Sequence, residues 1–364
     1  MTVPLRILPS LCAAVLAATV AFSAVPAAAA DGKPDPDFAA MTKAVTDRVI
    51  VPAYEALASA TAALSSATRS ACADPVAAPG KVRNVFVAAM AAWQRAQPIS
   101  FGPIADGSRA NRIEYWPDKR GTGQRQVRRA LAEKDPGLVA PGGLAGKSVA
   151  LQGLATYETL MFGDAPGEYA CAFAAAIADF QKDLAATLLA DWTKPGGFAE
   201  TMHTAAAGNA HYRDAREAAT DILKSAAGIL DVIIQQKLEL PLGESLADAS
   251  PHKAESWRSA LSLANVVANL ATLRALFETK DGLRDQLARV GAGPLGDGMI
   301  RSVDKAVGLV RGIPLPLAQA VADAGMRPKV EELVEAVRDL RILVRNPVAD
   351  ELRIVVGINA LDGD

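Results

Sequence analysis

The chain is predicted to be all-α, and three observations carry that prediction. Nearly every long segment between helix breakers repeats its apolar residues with a 3.6-residue period, and no segment alternates as a run of strands would. Alanine is abundant and aromatic residues make up only 5%, a composition suited to closely packed helices. The 364-residue length is enough to bury a large core and predicts two helical-bundle lobes.

Taken in order, residues 1–30 read as a secretory signal peptide. Arg6 precedes an apolar run over 7–25, and a small-residue site ends in Ala28-Ala29-Ala30 before Asp31. Cleavage near Ala30 would place the mature chain in the periplasm or cell envelope. Cys12 follows Leu11 and not a small residue, so it does not read as a lipid-attachment cysteine. No later stretch reads as long and apolar enough to span a membrane, so no transmembrane segment is expected in the mature chain. Removing the signal takes Arg6 and no acidic residue, leaving 37 basic against 40 acidic residues and a net charge of −3. That balance argues against nucleic acid or an anionic membrane as a partner.

Helices are expected over 36–70, kinked at Pro52, then over 79–97, 122–134, 148–162, 168–192, 198–209, 213–239, 251–279, 298–311, 315–323 and 328–343. In the 251–279 segment, Leu263, Val266, Val267, Leu270, Leu273 and Phe277 form a buried stripe, with Ser250 and Pro251 as N-cap and first helical residue. Lys194-Pro-Gly-Gly197 is the strongest break near the middle and is the expected lobe boundary, at 194–197, although the lobes need not be contiguous in sequence. The irregular stretch 101–123 is long for a bundle connection, and such loops often carry function.

Two cysteines survive export, Cys72 and Cys171. In an oxidising compartment the pair favours a disulfide, the alternative being two buried free thiols.

Three groups of polar residues sit in apolar or irregular surroundings. The first is Glu158. As a helix, 148–162 places Leu151, Leu154, Ala155, Glu158 and Phe162 on one face, so the carboxylate is expected to be buried and to need a donor, a cation, a metal or a proton. Gly153 within that helix would cost about 1 kcal/mol against Ala, marking a place where a backbone or ligand comes close. The second group lies in 108–120, where Arg109 and Arg112 accompany Glu114, Tyr115 and Trp116. These arginines could clamp an anionic ligand, neutralise Glu158, or form a salt-bridged loop pinned by Trp116. In the third, Glu255, Arg258, Ser262, Asn265 and Asn269 recur every three or four residues, as one polar stripe facing a cavity or an interhelical seam.

Metal and nucleophile chemistry have little to draw on. His203, His211 and His252 are the three histidines; the first two are too far apart along a helix to share an ion. His252 and Glu255 have chelating i, i+3 spacing, which is equally ordinary helix-start electrostatics. No HExxH, GxSxG, CxxC or P-loop occurs, and the serines of the polar stripe lack a nearby histidine to activate them.

Several segments together resemble the imelysin family, the M75 peptidase family of bacterial envelope proteins. They are Trp93, Phe101-Gly-Pro103, Arg112-Ile-Glu-Tyr-Trp-Pro117, Gln152-Gly-Leu-Ala-Thr-Tyr-Glu158, Gln236-Lys-Leu-Glu-Leu-Pro-Leu-Gly243, Ala254-Glu-Ser-Trp-Arg-Ser259, Ala268-Asn-Leu270 and Asn359-Ala-Leu-Asp-Gly-Asp364. The resemblance implies an all-α fold of two lobes with a site between them, an envelope location and a link to iron or other metal acquisition. The family signature is GxHxxE, with His and Glu as proposed metal ligands; Gly153 and Glu158 match it, and Ala155 stands where the His belongs. Alanine cannot coordinate a metal, and one carboxylate makes a poor transition-metal site. What carries over is a ligand-binding pocket around Gly153 and Glu158, with Arg112, Trp116, Arg258, Ser259, Ser262 and Asp362 as lining positions and Glu158 as the candidate metal ligand. The expectation is a binding protein without catalysis that takes a small ligand or metal complex. The alternatives are an M75 metal-dependent peptidase, or a scaffold for an envelope transporter; iron or another divalent metal is the implied cofactor.

Overall fold

The computed structural model describes residues 33–164 and 166–357. The signal segment and Asp362 lie outside the described residues. All regular elements among the described residues are helical, and those from Pro34 onward pack as one body.

The first long helix begins where the Asp37 side chain accepts the Ala40 N–H. Its α1 (Phe38–Val45) and α2 (Val51–Ala71) are joined by a π-helical turn over Thr46–Ile50, in which the Val51 N–H reaches back to the Thr46 carbonyl. Pro52 is the second residue after that turn. The irregularity expected at Pro52 is therefore a widened turn just ahead of it, an arrangement that accommodates a residue without an N–H. By length and composition this continuous helix, Phe38–Ala71, could cross a bilayer, which corrects the expectation that no such stretch follows the signal. Its apolar side is used within the fold: Met41, Val45, Ile50, Tyr54, Leu57 and Leu64 are buried in the core.

Helix α3 (Ala78–Ala96) packs on α2, and α4 (Arg109–Ile113), α5 (Thr122–Glu133) and α6 (Pro136–Val139) decorate the long connection that follows. Next come α7 (Leu154–Phe162) and the long α8 (Glu168–Thr193). Cys72, at the end of α2, and Cys171, in α8, form a disulfide with Cα atoms 5.6 Å apart, tying together two helices that already pack side by side. Aromatic residues fill the space around them: Tyr54 stacks on Trp192 at 5.7 Å, and Phe86 on Tyr157 at 5.4 Å. Lys194–Gly197 forms the tight turn into α9 (Phe198–Thr204), closed by the Gly197 N–H on the Lys194 carbonyl.

Asp214 caps α10 (Ala215–Asp231), which continues through a π segment, Val232–Glu239, into α11 (Leu240–Leu242). The remaining elements are α12 (Ser262–Glu278), α13 (Leu283–Arg289), α14 (Gly293–Arg311), α15 (Leu317–Ala320), α16 (Arg327–Leu343) and α17 (Ala349–Glu351). The expected stripe on α12 is core: Val266, Leu270, Leu273 and Phe277 are buried, while Leu263 and Val267 are partly so.

Two expected helices are interrupted, and both interruptions matter for the site. Segment 148–162 is not one helix. A 3-10 turn over Val149–Leu151 ends at Gln152, and Gly153 is extended (φ −97°, ψ 173°), forming the N-cap of α7. Segment 251–279 is helical only from Ser262. Ahead of it lie a 3-10 turn, Pro251–Lys253, and an irregular stretch in which Ser256 and Ala260 adopt left-handed φ of 50° and 62°. That backbone conformation is uncommon for residues bearing a Cβ. The helical polar stripe starting at Glu255 is thus not formed; Glu255 and Arg258 belong to this irregular stretch, and Asn265 and Asn269 to α12.

Candidate ligand-binding site

The start of α7 is set by a close backbone crossing. A Cβ on Gly153 would lie 2.8 Å from the Ile113 carbonyl oxygen and 3.3 Å from the Glu114 Cα. Only glycine lets the extended strand of chain after α4 pass this closely. The close approach expected at Gly153 is that of a backbone at a helix cap, and Gly153 is not among the residues lining the cavity described below. The crossing brings Glu114, Tyr115 and Trp116 beside the first turns of α7. Pro117 follows Trp116 through a cis peptide bond.

Glu158 projects from α7 and is 4% exposed. Its Oε1 accepts two hydrogen bonds, from the backbone N–H and the hydroxyl of Ser259, each 2.7 Å. The carboxylate thereby holds the irregular 254–261 stretch against α7. Burial raises the Glu158 pKa, and the Ser259 hydrogen bonds and the neighbouring Arg258 charge oppose the rise.

Beneath this contact lies a buried polar network. The Lys237 Nζ donates to both oxygens of Glu255, at 2.8 and 2.7 Å, and to Gln94 Oε1 at 2.6 Å. Both members of this ion pair are almost fully buried. Asn265 donates to Glu255 Oε2 at 2.7 Å, and Asn269 to the Gln94 carbonyl at 2.6 Å. Gln94 and Trp93 both donate to Glu114 Oε2, at 3.1 and 2.7 Å. Burial and then the nearby Glu255 hold the Glu114 carboxyl well above the ordinary carboxylate range, against the Lys237 charge and the Trp93 hydrogen bond.

Above the network opens a cavity of about 330 Å³, within the size range of small-molecule sites. Its wall is formed by Glu114, Trp116 and Asp118 from the long connection, Ala155 and Glu158 from α7, and His252, Trp257 and Arg258 from the stretch before α12. The walls thus come from both sides of 194–197 in sequence. His252 stacks on Trp257 with ring centroids 4.2 Å apart, and the Arg258 guanidinium carbon sits 4.3 Å from the centre of the Trp257 ring. Arg258 is half-buried; burial lowers its pKa, against the pull of Glu158.

The structure therefore gathers Glu158, Trp116 and Arg258 around one cavity, with Ser259 bonded to Glu158 behind the wall. It separates the others. Arg112 donates to the Gly107 and Ala145 carbonyls and to Gln152 Oε1, lining a different hollow, and Arg109 pairs with Asp191 at 2.9 Å. Neither arginine neutralises Glu158. Ser262 donates to the Glu255 carbonyl and is buried away from the cavity. The chelate expected from His252 and Glu255 does not form, because both Glu255 oxygens are held by Lys237 while His252 lies on Trp257.

Sequence reasoning did not single out Lys237, Gln94 or Asp118. Lys237 sits among Gln235, Gln236 and Glu239, which reads as an ordinary polar helix face, so no sequence signal marked it as buried.

A family model for imelysin, Peptidase_M75, matches residues 50–344. The chain belongs to the imelysin family. Two solved structures share the fold. One is an imelysin-like protein from Psychrobacter arcticum 273-4, 20% identical, with a TM-score of 0.76 over 89% of this chain and 100% of that one. The other, from Parabacteroides distasonis ATCC 8503, is described as an iron-regulated protein A precursor; it is 17% identical, with a TM-score of 0.76 over 88% of this chain and 97% of that one. No curated protein matches the chain.

The GxHxxE signature implies a metal ion held beside Glu158. Among the described residues, no three His, Cys, Asp or Glu side chains come together to hold a metal ion. Glu158 has committed one oxygen to Ser259, and its neighbour one turn earlier on the cavity wall is Ala155. These residues do not fit a resident transition metal.

Proposed function

We propose that this imelysin is an exported, non-catalytic binding protein whose cavity at Glu158 and Arg258 takes a small organic ligand or a metal complex in the service of metal acquisition. The observation that carries this reading is the 330 Å³ cavity, which is walled by aromatic rings and carries both a buried carboxylate and a half-buried guanidinium. Several features support it. The N-terminal signal pattern supports export, and the fold shared with a protein described as an iron-regulated precursor supports the metal connection. A metal carried in a complex needs no resident ligand set, in keeping with Ala155 at the motif position. An envelope transporter is the natural receiver of such cargo.

The test is mass spectrometry, for metals and for small molecules, on the mature protein isolated untagged from cell envelopes. The expected result is a stoichiometric ligand that is lost in Glu158→Gln and in Arg258→Ala. Equal ligand content in both variants and the parent would overturn the assignment.

A further inference from the structure

Several groups around the cavity have hydrogen-bonding capacity that the described residues leave unused, the buried Asp118 Oδ1 among them. Glu158 Oε1 is occupied by Ser259, but no donor among the described residues reaches Oε2. Glu114 Oε2 accepts from Trp93 and Gln94, and Oε1 has no donor among them. Both side chains are more than nine-tenths buried and line the cavity. A further group is the Arg258 guanidinium, which makes no hydrogen bond or ion pair among the described residues although it is half-buried near two acidic groups, Glu158 and Asp164. Instead it lies on the Trp257 ring, 4.3 Å from its centre, at a place where the cavity and the neighbouring hollow share Trp257 and Arg258 as walls.

A ligand that enters the cavity strips water from Glu158 and from the half-buried Arg258, so it must bring a donor to one and an acceptor to the other. The two demands are of opposite kind and lie on the same cavity. A guanidinium held over an indole ring keeps its fork of N–H donors available for a planar acceptor such as a carboxylate. Carboxylate oxygens in the wall call for a group with several N–H donors. The buried ammonium of Lys237 is already shared between Glu255 and Gln94 and cannot serve.

Resting on the pocket reading above, we infer that the ligand is a small organic zwitterion. Its carboxylate would be clamped by Arg258, its ammonium would face Glu158, and its apolar part would lie against Trp116 and Trp257. An amino acid or a short peptide has this chemistry; a bare metal ion does not, because it would leave Arg258 unanswered.

The test is calorimetric titration of the mature protein with free amino acids and dipeptides, each beside its methyl ester, which removes the carboxylate charge, and its N-acetyl derivative, which removes the ammonium. Ferric and zinc ions and inorganic phosphate serve as probes that carry one sign of charge only. Binding of a zwitterion is expected, with a loss of tenfold or more on either cap. Arg258→Gln should weaken the zwitterion but not its ester, and Glu158→Gln should weaken the zwitterion but not its N-acetyl form. If Glu158→Gln fails to fold, the capped probes on the parent protein still decide the question. Binding that tolerates either cap, or binding of the simple ions alone in a Glu158-dependent way, overturns the zwitterion and leaves the pocket standing. No binding by any probe, together with no co-purifying ligand, overturns both.

Discussion

Glu158 and Ser259 lie 101 residues apart in sequence and are joined by two 2.7 Å hydrogen bonds to a single carboxylate oxygen. This contact closes the cavity wall, because it anchors the irregular stretch before α12 to a helix from the other half of the chain. Hydrogen bonds to a charged group are worth about 1.5–3 kcal/mol each. Ser259→Ala keeps the backbone N–H and removes the hydroxyl, so it should lower unfolding stability by about that amount in urea denaturation. A change below a few tenths of a kcal/mol would mean that the hydroxyl bond is idle.

The buried pair Lys237–Glu255 is predicted to behave asymmetrically. Lys237→Met leaves the Glu255 carboxylate buried without its cation and should cost about 3–5 kcal/mol. Adding Glu255→Gln removes the orphaned charge and should restore much of that loss. A double-mutant cycle measures the coupling; additive losses would show that the two side chains do not depend on one another.

Glu114 gives a pH signature. Its pKa lies well above the ordinary 4.5 in the folded chain, chiefly through burial. The folded state therefore holds a proton that the unfolded state releases near 4.5, and stability falls as pH rises from that value toward the folded pKa. Glu114→Gln keeps an acceptor for Trp93 and removes the titration. Its stability relative to the parent should improve as pH rises from 4.5 toward neutrality. Urea midpoints at a series of pH values check this, and a constant difference would assign the parent's pH dependence to other groups.

Helical periodicity made the framework legible, down to the buried stripe on α12 and the burial of Glu158. What it could not show was where helices stop because of partners remote in sequence. The apolar spacing of 148–162 and 251–279 continues straight through Gly153 and through Ser256 to Ala260, because periodicity registers burial and not backbone conformation. At Gly153 the decisive fact is the Ile113 carbonyl, and before Ser262 it is the claim that Glu158 and Lys237 make on Ser259 and Glu255. Those partners are remote in sequence. For the same reason Arg112, beside Glu114 in sequence, could be read as facing Glu158, although one residue turns outward to loop carbonyls and the other inward to Trp93.

The Cys72–Cys171 disulfide should contribute through the unfolded state. It spans a sequence separation of 99 residues, for which the chain-entropy account gives about 4–5 kcal/mol. Replacing both cysteines by serine should lower the urea midpoint accordingly while leaving the helical circular dichroism unchanged. An unchanged midpoint would show that the packing of α2 on α8 alone sets the stability.

Gly153→Ala tests the backbone crossing from which the site is built. The added Cβ would sit 2.8 Å from the Ile113 carbonyl oxygen, and that atom is backbone and cannot rotate away. The extended conformation of Gly153 itself suits alanine, so any penalty comes from the crossing and not from φ and ψ. Relief requires the chain from Ile113 to Trp116 to move off α7, at a cost of about 1–3 kcal/mol for overpacking of this kind. The same movement would carry Glu114 and Trp116 away from Glu158 and widen the cavity. Gly153→Ala should therefore lose both stability and ligand affinity, whereas Ser259→Ala keeps the crossing intact and should spare the Trp116 wall. Quenching of tryptophan fluorescence by acrylamide reads the difference directly: increased quenching in Gly153→Ala and little change in Ser259→Ala. If Gly153→Ala were as stable as the parent, the close crossing of the Ile113 backbone over Gly153 would not exist in solution.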